Sequence, residues 1–313
     1  MDGAEVDLRT SVGSVELPNP VMTASGTSGH GAELARYFDL SRLGAVVVKS
    51  LSATPHAGNP PPRLSETPVG MLNSVGLQGP GVEAWLEGDL PALVDAGARV
   101  VASIWGLTVD EYAKAAAMLA HAPADVVAVE VNLSCPNLEG GRHLFSHSTT
   151  ATAEAVAATE VCRRPRWAKL SPNTADLTDV AGAALAAGAE ALTLVNTVMG
   201  MAIDPVRRRS RLGTVAGGLS GPAIHPVAVR AVHECRSALP GAAIVGVGGV
   251  QSGEDAVELL VAGAHAVQVG TATFAEPRAP VRVLDEVLRW CERHDVRRVV
   301  ELIGTAHDTA RSP

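Results

Sequence analysis

The sequence predicts an α/β fold, a (β/α)8 TIM barrel, and three observations lead to it. Apolar runs of three to six residues recur along the chain, as expected of parallel strands that are buried on both faces. Helical stretches separate the runs, and four times a presumed helix ends in Gly-Ala and an apolar run follows. About eight strand–helix units can be counted, which is the number that closes such a barrel.

The elements follow in order along the chain. Residues 6–17 alternate in polarity and turn at Gly13, which predicts an N-terminal β-hairpin that plugs the bottom of the barrel. The eight barrel strands are predicted at 21–24, 46–48, 100–102, 126–131, 167–170, 191–194, 243–247 and 266–269. Helices are predicted at 110–120, 151–162, 226–239 and 252–261. The Gly-Ala pairs that would end helices begin at Gly44, Gly97, Gly188 and Gly263.

No linker divides the chain, so residues 1–313 are expected to form a single domain. The Pro-rich loop at 57–63 is too long for a simple strand–helix connection, and long loops are usually functional, which predicts inserted active-site loops. A doubly wound open sheet is the alternative. It is weakened because no GxGxxG follows the first strand.

Composition excludes several classes of protein. The 25 Lys and Arg residues against 33 Asp and Glu give a net charge of −8, which disfavours nucleic-acid binding. The low-charge stretch at 180–203 fits a helix and a buried strand better than a membrane span. An acidic start without an apolar core argues against a signal peptide. No CxxC pair occurs, so neither a metal site nor a disulfide framework is expected, and a reducing cytoplasm is the default location. The four separate cysteines are Cys135, Cys162, Cys235 and Cys291.

Polar and small residues follow the predicted strands, where the chemistry of a barrel takes place. Two of the three lysines of the chain, Lys49 and Lys169, lie at such strand ends. The last two strands end in Gly248-Gly249 and Gly270-Thr271. Because glycine lets backbone N–H groups approach an anion, this pair of strand ends predicts a phosphate site.

Cys135 is the candidate reactive group. It follows a buried strand, with Asn132 and Asn137 on either side, and Pro136 would fix the local backbone. A thiol can act as a general base where its surroundings allow thiolate to form. The other three cysteines fall in helical stretches and are expected to be small buried apolar residues.

Four motifs carry a family resemblance: NLSCPN at 132–137, GMLNSVGLQ at 70–78, GGLSGPAI at 217–224 and VGGV at 247–250. Together they resemble the class 1 dihydroorotate dehydrogenases, and they are most similar to the catalytic FMN subunit of the class 1B, NAD-linked branch. The resemblance extends from about residue 6 to about residue 303. Class 2 enzymes of this family use Ser as the base and carry an N-terminal extension.

The resemblance implies FMN-dependent oxidation of (S)-dihydroorotate to orotate in de novo pyrimidine biosynthesis. Cys135 would remove the C5 proton, and hydride would pass from C6 to flavin N5. The implied substrate contacts are Lys49, Asn73, Ser74, Val75, Gly76, Leu77, Asn132, Asn196 and Thr197. The implied FMN contacts are Ser25, Lys49, Ser50, Ser103, Asn132, Lys169, Val195, Gly221, Gly248, Gly249, Gly270 and Thr271.

The resemblance also implies partners. A homodimer of this chain is expected, within a heterotetramer that includes a separate subunit carrying FAD and a 2Fe–2S cluster. Four scattered cysteines cannot build that cluster here, so the second subunit would supply it.

Some positions depart from the family pattern: Ser103, Trp105 and the segment 142–147 after Cys135, which contains His143 and His147. They leave the exact pyrimidine and the electron acceptor open. One alternative is an FMN oxidoreductase that acts on another dihydropyrimidine. Another is a flavin-free barrel that uses Lys169 or Lys49 as a Schiff-base amine.

Overall fold

The eight predicted strands form one parallel sheet, closed into a barrel, in the computed structural model, which describes residues 6–135 and 144–307. The strands there are β1 (Thr10–Val12), β2 (Val15–Leu17), β3 (Val21–Thr23), β4 (Val46–Val47), β5 (Leu64–Thr67), β6 (Gly70–Asn73), β7 (Val100–Ile104), β8 (Val126–Asn132), β9 (Arg166–Leu170), β10 (Ala191–Leu194), β11 (Val198–Gly200), β12 (Ile203–Asp204), β13 (Arg209–Ser210), β14 (Gly217–Ser220), β15 (Ala243–Val247) and β16 (Ala266–Val269). The helices are α1 (Val82–Gly88), α2 (Leu90–Asp95), α3 (Val109–Met118), α4 (Thr149–Ala158), α5 (Leu177–Ala186), α6 (His225–Ala238), α7 (Gly253–Ala262), α8 (Ala272–Ala275) and α9 (Ala279–Arg293).

The order of strands around the barrel is β3-β16-β15-β10-β9-β8-β7-β4. A parallel bridge between Met22 and Ala45 joins the two ends of this order, β3 and β4, and closes the barrel. The predicted barrel is therefore confirmed, and the open-sheet alternative is wrong. All four predicted helices are present, although the predicted helix at 151–162 starts at Thr149 and ends in a 3-10 turn, Thr159–Cys162.

The seam between β3 and β4 combines two backbone hydrogen bonds, from Gly44 N to Val21 O and from Thr23 N to Ala45 O, with side-chain bonds to Val47. β4 has only two residues, and the hydroxyl of Thr23 accepts a hydrogen bond from Val47 N at 2.8 Å. The hydroxyl of Ser28 donates to Val47 O at 3.1 Å and lies 3.3 Å from the Thr23 hydroxyl. All three residues are buried, so these bonds are shielded from water and replace part of the missing backbone ladder.

Two apolar cores lie on the two faces of the barrel sheet. Residues such as Met22, Val101 and Trp167 fill the lower interior, while the opposite faces of the strands pack against the outer helices. The hairpin β1–β2 contributes Val12, Val15 and Leu17 to the interior core and closes the bottom, as predicted.

Three of the four Gly-Ala pairs end helices as predicted, because Gly97, Gly188 and Gly263 have positive φ angles. The prediction for the pair at Gly44 is wrong. The element directly before it is only a 3-10 turn, Leu40–Arg42, and the φ angle of Gly44 is not positive. A Cβ on Gly44 would lie 2.4 Å from Asn19 O and 3.1 Å from Val21 O, so close backbone approach explains this glycine.

The inserted loops form a small antiparallel sheet with the order β11-β14-β6-β5, called the cover sheet below. Its strands come from two insertions, one after β4 and one after β10, and Asn73 pairs with Gly218 across them. No helix in the described part of the chain is long and apolar enough to span a bilayer.

We predict that Thr23→Val destabilises the barrel. The substitution keeps the side-chain shape but leaves the buried N–H of Val47 without its acceptor, which costs about 1–3 kcal/mol. Urea denaturation followed by circular dichroism measures this loss. The matched control is Thr54→Val at an exposed position, which should leave the midpoint unchanged. Equal midpoints for the two variants would contradict the importance of the seam.

Candidate functional site

A cavity of about 290 Å³ opens at the C-terminal ends of the barrel strands. Of the twenty predicted site residues, seventeen line it, and they come from strand ends and loops that are far apart in sequence. They are Ser25, Lys49, Ser50, Asn73, Val75, Gly76, Leu77, Asn132, Lys169, Val195, Asn196, Thr197, Gly221, Gly248, Gly249, Gly270 and Thr271.

Ser74, Ser103 and Cys135 do not line the cavity. The Ser74 hydroxyl bonds to Thr214 at 2.6 Å, and the buried Ser103 hydroxyl reaches the cavity only through Ser50, 2.9 Å away. Position at a strand end therefore did not determine which way these side chains point.

The glycines after β15 form one wall. Gly248 and Gly249 have φ angles of +136° and +74°, which side-chain-bearing residues rarely adopt. A Cβ on Gly249 would lie 2.6 Å from the Cβ of His225, the first residue of α6. The His225 ring fixes this wall, because its Nδ1 is 2.9 Å from Gly248 O and its Nε2 is 3.0 Å from Glu258. An anion can therefore approach the backbone N–H groups of this wall without obstruction by side chains.

A chain of hydroxyl and amide groups crosses the cavity. The Asn132 amide donates to Ser50 at 3.2 Å, and Ser50 lies 3.2 Å from the hydroxyl of Ser25. The side-chain oxygen of Asn132, Oδ1, accepts from the Asn196 amide at 3.1 Å and from the backbone N–H of Ser134 at 3.2 Å. These bonds fix which end of the Asn132 amide faces each neighbour, as recognition of a ligand with fixed donors and acceptors requires.

The two lysines of the cavity differ in their surroundings. Burial, followed by the neighbouring charge of Arg63, lowers the pKa of Lys49. Lys169 donates to Glu130 Oε1 at 3.3 Å and to Gln268 Oε1 at 3.4 Å. Lys114, the third lysine of the chain, is exposed and pairs with Asp110 on α3.

The thiol of Cys135 is fully buried and lies 3.5 Å from the backbone oxygen of Asn132. Tyr112, on α3, donates its hydroxyl to the same oxygen at 2.6 Å. Burial raises the pKa of Cys135 to about 12, while the Tyr112 hydroxyl acts in the lowering direction. The thiol is therefore protonated in this position and is not set up to accept a proton.

Sequence reasoning missed several lining residues, including Ser134, Ser171 and Asn173. Asn173 accepts from Met199 N at 2.8 Å and donates to Thr197 O at 3.0 Å, so it anchors the start of β11. Its position three residues after the predicted strand end was the available signal. The Ser134 hydroxyl is buried and has no hydrogen-bond partner among the described residues.

Several predicted features are outside the cavity or outside the described residues. Trp105 is buried and packs edge-on against His56, with ring centroids 5.0 Å apart. His147 is exposed. Pro136, Asn137, Arg142 and His143 lie outside the described residues. Within 6–135 and 144–307, no cluster of three His, Cys, Asp or Glu residues could hold a metal ion.

The closed barrel and its glycine-walled cavity define an α/β-barrel protein with a ligand site at the C-terminal end of the strands. The sequence profile of the family described as "Dihydroorotate dehydrogenase" matches residues 7–290. The chain belongs to this family, a family of oxidoreductases, and the resemblance seen in its motifs is confirmed.

Two similar proteins are named "Dihydroorotate dehydrogenase B (NAD(+)), catalytic subunit". The one from Desulforudis audaxviator is 47% identical and covers 97% of this chain and 99% of the relative. The one from Geobacter sp. (strain M21) is 46% identical and covers 95% and 97%. A third, from Solibacter usitatus, is provisionally named dihydroorotate dehydrogenase A (fumarate), with 45% identity over 95% and 98%. The first two names bear out the class 1B prediction, and the flavin-free barrel is not favoured.

We predict that Cys135 reacts slowly with iodoacetamide in the ligand-free native protein. At pH 8 a buried thiol with a pKa of about 12 is thiolate in roughly one molecule in ten thousand. Because the group is protonated below its pKa, the rate should still be rising at pH 9, where an ordinary cysteine approaches its plateau. Mass spectrometry of the peptide that contains Cys135 measures the rate, with the protein unfolded in urea as the control. Equal rates in the native and unfolded protein would contradict the buried position.

Proposed function

We propose that this chain is the catalytic subunit of a dihydroorotate dehydrogenase, which oxidises (S)-dihydroorotate to orotate in pyrimidine biosynthesis. One observation carries the proposal: a single cavity combines a glycine wall suited to phosphate with oriented amide and ammonium groups, in a chain of this family. The names of the relatives support the same substrate.

The residues present fit FMN. The loops after the last two barrel strands form the common phosphate site of this fold. At Gly248 and Gly249 an added Cβ would lie 2.9 Å from Ala228 and 2.6 Å from His225, so α6 packs directly against this loop. Because the loop carries no side chains here, its backbone N–H groups would meet the phosphate. Lys169 would place positive charge beside the flavin ring. When bound, FMN supplies a two-electron acceptor. The remaining proposed contacts are Ser25, Lys49, Ser50, Asn132, Val195, Gly221, Gly270 and Thr271, with Ser103 acting through Ser50.

The substrate would be held by oriented polar groups. The amides of Asn73, Asn132 and Asn196 each offer a donor and an acceptor, which suits the edge of a pyrimidine ring. Lys49 would pair with the substrate carboxylate, and this pairing would offset the burial that lowers the pKa of its ammonium group. The other proposed contacts are Ser74, Val75, Gly76, Leu77 and Thr197.

We assign removal of the C5 proton to Cys135, on the family pattern. The assignment requires the thiol to leave Asn132 O and face the cavity when substrate binds, because its present pKa of about 12 disfavours thiolate. Ser134 is the competing base. The residue lines the cavity, and its buried hydroxyl has no hydrogen-bond partner among the described residues.

Residues 1–313 are proposed to form one FMN-binding domain that assembles as a homodimer. The further electron path would use a separate subunit carrying FAD and a 2Fe–2S cluster, with NAD as the final acceptor. The words "catalytic subunit" in the names of the relatives support a second subunit. The cytoplasm is the proposed location, supported by the four unpaired cysteines.

We predict that the purified chain with FMN loses its flavin absorbance when mixed with dihydroorotate in a stopped-flow instrument. Cys135→Ala should bind orotate normally but bleach about 10²–10⁴-fold more slowly, the usual contribution of a general base. The matched control is Ser134→Ala, which should bleach at a near-normal rate.

Slow bleaching by Ser134→Ala together with normal bleaching by Cys135→Ala would assign removal of the C5 proton to Ser134 instead of Cys135. A wild-type chain that binds no FMN would refute the flavin reaction. Reduction of NAD+ by the lone chain would contradict the need for a second subunit.

We predict that Gly249→Ala weakens FMN binding by about 5- to 150-fold. The alanine must hold a strained φ of +74° and place its Cβ 2.6 Å from His225, at a cost of about 1–3 kcal/mol. Flavin fluorescence titration of the apoprotein measures the affinity. Gly241→Ala, where an added Cβ meets nothing within 4 Å, should bind like the wild type. Equal affinities would remove the glycine wall from the phosphate site.

A further inference from the structure

A polar cluster lies inside the barrel between the apolar lower core and the cavity. Glu130 and Gln268 are fully buried, and Lys169 is only 5% exposed. They come from three strands, β8, β16 and β9. The interior of such a barrel is usually filled by branched apolar side chains, so an ion pair at this level needs an explanation.

The three side chains form a closed triangle. Glu130 Oε1 accepts from Lys169 Nζ at 3.3 Å, and Glu130 Oε2 accepts from the Gln268 amide at 2.8 Å. The Gln268 oxygen accepts from Lys169 Nζ at 3.4 Å. An ammonium group has three N–H donors, so two are directed at this triangle and one is left for an acceptor in the cavity that Lys169 lines.

The triangle also sets the local charge. A buried ion pair contributes little net stability compared with apolar packing, so its presence is weak evidence for a stabilising role. With Glu130 ionised, the charges of Glu130 and Lys169 offset each other, so the cluster as a whole is close to neutral even though Lys169 lines the cavity. We propose that Glu130 is a positioning residue that fixes Lys169 against the floor of the cavity and offsets its charge there, thereby holding down the reduction potential of the bound flavin.

The inference rests on the proposed FMN function. Reduction of the flavin by dihydroorotate transfers two electrons and one proton from C6, while the C5 proton goes to the base. The reduced flavin then carries one additional negative charge in the anionic form. A positive charge that is not neutralised stabilises this form more than the oxidised one, and the effect is strong in a buried site.

Glu130→Gln tests the proposal, because it keeps the shape and removes only the charge. We expect the two-electron midpoint potential of the bound FMN to rise, with about a tenfold larger equilibrium constant for reduction, equal to about 30 mV. Spectroscopic redox titration against a reference dye measures it. The charge-swap variant Glu130→Gln/Gln268→Glu keeps one carboxylate beside Lys169, since the two partners lie 3.3 and 3.4 Å from Nζ, and should restore the wild-type potential.

Asp110→Asn is the matched control, because it removes an exposed carboxylate from a lysine pair on α3 and should leave the potential unchanged. If Glu130→Gln does not fold, Glu130→Asp withdraws the carboxylate by one methylene and should raise the potential by less. An unchanged potential in Glu130→Gln, or in Glu130→Asp if only that variant folds, overturns the inference. A wild-type chain that binds no FMN, or whose FMN dihydroorotate does not bleach, instead refutes the proposed function.

Discussion

The seam between β3 and β4 is the constraint on which the rest of the molecule depends. Only a closed barrel brings eight strand ends to one rim. Between β3 and β4 the backbone ladder is short, so the hydroxyl of Thr23 supplies part of the missing bonding to Val47. Lys49 lies two residues after β4 and Ser25 two residues after β3, and both line the cavity beside this seam. A barrel open at this point would separate the two residues and divide the hydroxyl chain from Ser25 to Asn132.

Between the lower core and the cavity, the side chains inside the barrel change from apolar to polar over one layer. Trp167 belongs to the lower core, and Lys169, two residues further along the same strand, faces the cavity. In the same way, Glu130 precedes Asn132 by two residues, and side chains two apart on a strand share a face. Strands β8 and β9 thus each supply support below and ligand contacts above. The uncompensated loss of one buried charge typically costs about 3–5 kcal/mol, which ties the polar layer to stability as well as to chemistry.

Much of the fold was predictable because the barrel strands are continuous apolar runs with clear ends. The cover sheet was missed because its strands are short, partly exposed and glycine-containing, as in β14, and its pairing joins residues about 145 positions apart. Most site residues were predictable from strand ends and motifs. The orientation of Ser103 and Cys135 was not, because orientation depends on neighbours such as Ser50 and Tyr112. Glu130 and Gln268 did leave a signal, since each is a polar residue within an apolar run.

The cover sheet has a consequence for how this chain can change over evolutionary time. β6 pairs with β5 on one side and with β14 on the other, and β14 belongs to the other insertion. A lineage that lost the insertion after β10 would expose an unpaired edge on β6, and exposed edges recruit foreign strands. The two insertions should therefore be inherited or lost together, although more than a hundred residues of barrel lie between them. Length variation among relatives should accordingly concentrate in other loops.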